Sequence, residues 1–193
     1  GRAAGAEPVA AAADWTPGDV PSALVTIPVE RRRRVFLVPA FLTERNTTRY
    51  RVHHLVELLG ADAITIVDPD APPEDFFPAL EAGAIVILQR VPLTRENRAF
   101  LHRVRAAATL VAYDIDDQIF DANELEDWRI GGLEVSPARY AQAMALADHF
   151  LVSTTGLRAK IERRFRRPAH VVTNGLGAET MARSLAAQRP DGG

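Results

Sequence analysis

Three carboxylates stand within four residues at Asp114, Asp116 and Asp117, directly after the apolar run Thr109 to Tyr113. Like charges this close raise one another's pKa unless a cation, a metal or water offsets them. Two kinds of counter-charge fit the cluster. A divalent metal such as Mg²⁺ would take the carboxylate oxygens as ligands. Alternatively, arginines could pair with the acids, and Arg45, Arg49, Arg51 and Arg90 all stand near the ends of other apolar runs. An apolar run that breaks into acids reads as a buried strand opening into a turn. In an open parallel sheet the carboxyl ends of the strands form the ligand crevice, so this turn is expected to be the floor of a site.

The elements that must position it follow from the pattern of the chain. Six short apolar runs read as strands: Arg34 to Leu42, Ala63 to Val67, Ala84 to Leu88, Thr109 to Tyr113, Phe150 to Val152 and His170 to Thr173. They are continuously apolar rather than alternating, the mark of strands covered on both faces. Helical patterns lie between them. Arg49 to Leu59 places Val52, Leu55, Val56 and Leu59 on one face, with Thr47 or Thr48 as the cap. Glu74 to Ala82 reads as a short helix, and another runs to about Ala108. Ser136-Pro137 starts a fourth, and a fifth puts Leu157, Ile161 and Phe165 inward. Residues 118–135 are a longer acidic excursion with Gly131-Gly132 as a hinge, and 178–188 reads as a last helix. His53 and His54 are adjacent and point to different sides of their helix, which argues against a metal pair.

Strand and helix alternate from residue 34 to 175, so the fold class is α/β, a doubly wound, mostly parallel Rossmann-like sheet. The expected strand order is 3-2-1-4-5-6 with right-handed crossovers. That order makes the first and fourth strands neighbours, with the loop from Thr43 to Arg51 facing the acidic turn. Residues 1–29 form an Ala- and Pro-rich extension, 30–175 the domain, and 176–193 the start of a linker or tail.

The chain of 193 residues is 47% hydrophobic and 25% charged, an ordinary globular balance. Its net charge of -2 gives no electrostatic case for a nucleic-acid partner. Without cysteine it has no disulfides, thiolate metal sites or cysteine nucleophile. No apolar run reaches the ~18 residues of a membrane span. The sequence begins with Gly rather than Met, which leaves a targeting segment ahead of it open. The first strand is followed by ERNTTRYR, neither a GxGxxG dinucleotide loop nor a P-loop, which excludes ordinary NAD enzymes and P-loop NTPases. Asp114-Ile115-Asp116 matches the spacing of a D-x-D metal motif. Haloacid-dehalogenase phosphatases and receiver domains, however, carry their acids after an earlier strand.

Six short pieces in order carry a resemblance. They are Tyr50-Arg51-Val52, Leu88-Gln89-Arg90, Tyr113-Asp114-Ile115-Asp116-Asp117 with Phe120-Asp121, Ala145-Leu146-Ala147-Asp148, Val152-Ser153-Thr154-Thr155 with Leu157, and Val171-Val172-Thr173-Asn174-Gly175. Together, over about residues 34–178, they resemble the N-terminal, acceptor-side domain of group 1 glycosyltransferases of GT-B fold.

The resemblance implies a hexosyltransferase-type enzyme of polysaccharide biosynthesis. It would move a sugar from a nucleotide-sugar co-substrate to a glycan or lipid-linked acceptor, with no bound cofactor or metal. Many members carry His-Asp at the end of the fourth strand near the acceptor hydroxyl; here Asp116 and Asp117 stand there and inherit the catalytic role, Asp116 first. By position, Arg49, Tyr50, Arg51 and Arg90 are candidate phosphate- or acceptor-binding residues and Asp114, next to the strand, is turn-stabilising; the resemblance makes Asn174 and Gly175 the interdomain turn. A plainer reading has Arg51 and Arg90 pairing with Asp114 and Asp117 only to hold the turn. The family's donor-binding domain would be supplied in cis or by another chain, and this fragment alone is expected to be inactive. The expected location is cytoplasmic, including peripheral association at the inner membrane surface. The rival class is a non-catalytic Rossmann-like module that binds a sugar or a protein within a larger assembly.

Overall fold

A computed structural model describes residues 33–40, 48–53, 55–56, 63–121, 129–130, 133–134 and 136–174. All of them belong to the compact unit that begins at Arg33. Six strands form one parallel sheet: β1 (Val35–Pro39), β2 (Ile64–Ile66), β3 (Ile85–Gln89), β4 (Leu110–Ile115), β7 (His149–Val152) and β8 (Ala169–Val171). Between β4 and β7 the acidic excursion contains a two-residue antiparallel hairpin, β5 (Arg129–Ile130) with β6 (Leu133–Glu134), where the sequence suggested only a loop. The helices are α1 (Arg49–His53), α2 (Phe76–Glu81), α3 (Arg98–Ala107), α4 (Pro137–Met144) and α5 (Thr155–Phe165). The fold is Rossmann-like α/β. No helix among the described residues is long and apolar enough to cross a membrane.

The strand order corrects the expected one. Across the sheet it runs β2-β1-β3-β4-β7-β8, so the six parallel strands read 2-1-3-4-5-6. Strand β3 lies between β1 and β4 and pairs with both, and the first and fourth strands are not neighbours. The reason is visible in β2. Only three of its residues pair, and Ile66 is exposed, as befits an edge strand rather than one enclosed on both sides. The β2–β3 connection therefore crosses β1, and its helix α2 sets Phe76 edge-on against Phe36 of β1 at 4.9 Å.

Side chains alternate across each strand, and the two faces bury different partners. On one face Phe36, Val86, Val111, Tyr113 and Phe150 pack with Phe76, Leu101, Met144 and Ile161 from α2 to α5. On the other, Leu37, Ile87 and Ala112 pack under Val52, Leu55 and Val56 of the α1 region. The chain runs from β1 to β2 in the direction opposite to every other crossover. A right-handed connection therefore puts α1 on the face opposite the other described helices.

The predicted helix over 49–59 is, in its described part, a π-helical turn at Arg49–His53 followed by helical Leu55–Val56. Thr48 is already helical and buried, so it does not stand outside the helix as a cap. The wider winding brings consecutive Arg51 and Val52 both inward. Helix α5 buries Leu157 and Ile161 as expected, and the structure adds its cap: Thr154 Oγ1 accepts the Leu157 N–H at 3.2 Å. The predicted extension 1–29, residues 43–47 of the predicted loop and the helix 178–188 lie outside the described residues.

Candidate functional site

The acidic turn sits at the carboxyl end of β4, and its first acid belongs to the strand. Strand β4 continues to Ile115, so Asp114 stands in register with Gln89 of β3 and Leu151 of β7. By alternation it shares the face of Ala112, beneath α1. Arg51 descends onto it from α1. The Arg51 Nε donates to Asp114 Oδ2 at 3.0 Å and Nη2 donates to Oδ1, a bidentate pair. The remaining Nη1 donates to the Val172 carbonyl, just past β8, and to Asn174 Oδ1 at 3.2 Å. Arg51 and Asp114 are each only 4% exposed. Burial pushes the Asp114 carboxyl up to about 6, although the Arg51 hydrogen bonds and charge hold it down.

The second centre is more open. Arg90 follows β3 in the left-handed region, φ 53°, which a side chain with a Cβ adopts only at a cost of ~1–2 kcal/mol. Its N–H donates to the Asp114 carbonyl at 3.0 Å, extending the ladder one step beyond the strand. Its Nη1 then lies 3.0 Å from both Asp116 Oδ1 and Asp117 Oδ2. Continued strand geometry would have turned these two acids to opposite sides. The chain bends after Ile115 instead, and both reach one guanidinium. Ser153, after β7, donates its hydroxyl to the Asp116 carbonyl at 2.8 Å. Burial raises the Asp117 carboxyl, with Arg90 opposing and Asp116 reinforcing the rise.

Tyr113 braces the second centre from the other face. Its hydroxyl donates to the Val91 carbonyl at 2.9 Å, fixing the chain just after Arg90. Burial pushes that phenol well above its ordinary range.

The structure thus joins Arg51 to Asp114 and Asn174, and Arg90 to Asp116 and Asp117. Arg49 and Tyr50 lie on the α1 turn, and Gly175 and Arg45 lie outside the described residues. Among the described residues no group of three or more His, Asp or Glu is arranged to hold a metal ion. Sequence reasoning assigned no role to Ser153 or Gln89. Gln89 is 2% exposed, and its Nε2 has no hydrogen-bond partner among the described residues. The signal for it was a lone polar residue closing the apolar strand Ile85 to Leu88.

Compared with protein-family models, curated proteins and solved structures, the chain matches none of them.

Proposed function

We propose that this domain is the acceptor-binding half of a GT-B glycosyltransferase that moves a sugar from a nucleotide-sugar to a glycan or lipid-linked acceptor. The observation that carries this reading is the solvent-accessible pair Asp116–Asp117 held by Arg90 at the carboxyl ends of a parallel sheet. The six ordered sequence pieces add to it. Asp116 accepts a hydrogen bond from the acceptor hydroxyl and orients its oxygen toward the anomeric carbon. A new bond forms from that oxygen to the anomeric carbon, and the bond from that carbon to the donor phosphate breaks. In a retaining enzyme the hydroxyl proton leaves to the departing phosphate on the same face. Arg90 holds Asp116 in place, while Arg51, occupied by Asp114 and the β8 exit, ties the turn to the fold. The donor-binding domain acts in cis or from another chain, at the cytoplasmic face where nucleotide-sugars are supplied.

A non-catalytic sugar-binding module is the second reading, favoured by the engagement of both acids with one arginine. Two assays separate the outcomes. Saturation-transfer NMR on the 193-residue chain is expected to detect simple glycosides, while incubation with nucleotide-sugars and acceptors gives only background hydrolysis. Robust turnover by this chain alone would contradict the half-enzyme reading. Absence of glycoside binding would contradict acceptor recognition. Glycoside binding without turnover when a donor-binding domain is supplied would favour the module.

A further inference from the structure

Gln89 closes β3, with Pro39 of β1 and Asp114 of β4 opposite it in register. Its carbonyl accepts the Ala40 N–H at 2.9 Å, so its main chain continues the β1–β3 ladder. Its side chain alternates onto the face of Asp114, is 2% exposed, and holds an Nε2 with no partner among the described residues. A buried donor left unpaired carries its full desolvation penalty, and a leucine of similar volume would fill the space without it. Packing therefore gives no reason for a carboxamide here.

Its position does. The chain leaves β1 for β2 on one side and returns to β3 on the other, so the gap between β1 and β3 is where the winding reverses. In open α/β sheets ligands bind outside the strand ends at such a reversal. The charge nearby selects the kind of ligand. Among the described residues, three carboxylates (Asp114, Asp116, Asp117) face two guanidiniums (Arg51, Arg90), one negative charge in excess. An anionic ligand group is repelled there. A neutral hydroxyl is not, and it can accept from an amide N–H while donating to a carboxylate.

We propose that the Gln89 carboxamide positions the acceptor: its Nε2–H donates to a hydroxyl oxygen of a neutral sugar whose own hydroxyl proton is directed to Asp116. This rests on the acceptor-binding reading above and narrows it to uncharged glycosides.

The test follows the side-chain NH₂ signals of Gln89 in ¹⁵N-labelled protein, identified by their loss in Gln89→Leu. Methyl glucoside, mannoside and galactoside are titrated in parallel with glucose 1-phosphate. At least one methyl glycoside is expected to shift the Gln89 NH₂ signals saturably, with the phosphate binding more weakly. Gln89→Leu is expected to melt higher than the parent without sugar, because an unpaired donor is removed, and to bind the glycoside about tenfold more weakly. If Gln89→Leu melts lower and binds the glycoside unchanged, the carboxamide is structural and the inference fails alone. If no glycoside binds the parent protein, the acceptor reading fails and takes this inference with it. Tighter binding of the phosphate overturns the preference for a neutral ligand.

Discussion

The two arginine centres use the same chemistry in different surroundings. Arg51 and Asp114 have side chains 3% and 6% exposed, with the guanidinium meeting a bidentate carboxylate, a carbonyl and an amide oxygen. Arg90 holds Asp116 and Asp117 with side chains 13%, 16% and 41% exposed, its Nη1 3.0 Å from an oxygen of each. In the first, every charged atom is turned inward, linking α1, β4 and the chain leaving β8. In the second, the acids keep oxygens open to the crevice. Two residues along one turn thus separate a group that holds the fold from one that can meet a ligand. Burying an ion pair costs its hydration, so such a pair fixes geometry more than it adds stability. An accessible pair adds little stability but leaves its carboxylate ready for chemistry.

Breaking the buried centre should have the largest effect. Arg51→Met leaves Asp114 without its counter-charge and is expected to lower unfolding free energy by ~3–5 kcal/mol in urea titration. Adding Asp114→Leu should recover most of that loss, because the uncompensated acid is gone. A double variant no more stable than Arg51→Met would mean the pair itself is a main source of stability.

The open centre should respond in turnover instead. On the proposed glycosyltransferase reading, with a donor-binding domain supplied, Asp116→Asn is expected to cut the transfer rate by ~10²-fold, the weight of a positioned acid or base. Full activity in that variant would remove Asp116 from the chemistry.

A smaller effect is the pH dependence of stability. Folded Asp114 holds its proton up to about 6, whereas an unfolded aspartate releases it near ~3.9. The native state therefore binds more protons between these values. The stabilisation from Asp114 is full below about 4 and is lost as pH rises through about 6. Its size is on the order of 2–3 kcal/mol. The difference between parent and the Arg51→Met/Asp114→Leu variant, followed by denaturation across this range, should carry that slope. A difference that does not change with pH would contradict a raised Asp114.

The smallest expected effect is none at all. The turn is held by guanidiniums, so a chelator should leave the melting temperature unchanged, and a clear drop would bring back the metal reading of the three acids.

What the sequence made legible follows from local rules. Continuous apolar runs marked all six parallel strands, and the 157-161-165 face marked α5. Strand order was not legible, because it depends on which edge of β1 receives β3, a choice made by packing α2 over Phe36. The site was legible as a cluster but not as two centres. Assigning Asp114 to the strand required knowing that β4 continues through Ile115. Joining it to Arg51 required a contact between residues 63 apart. Arg90 reaches both remaining acids through a left-handed turn that its residue type does not announce.

The division between the two centres is tested most directly by Asp114→Ala and Asp116→Asn made side by side, each measured for melting temperature and for affinity toward the methyl glycoside that binds the parent. Asp114→Ala is expected to melt well below the parent, since it leaves the buried Arg51 guanidinium without a counter-charge. Asp116→Asn is expected to melt with the parent while losing most of its glycoside affinity. An Asp116→Asn protein that binds sugar normally, beside an Asp114→Ala protein that stays fully stable but no longer binds, would contradict the division and exchange the roles of the two carboxylates.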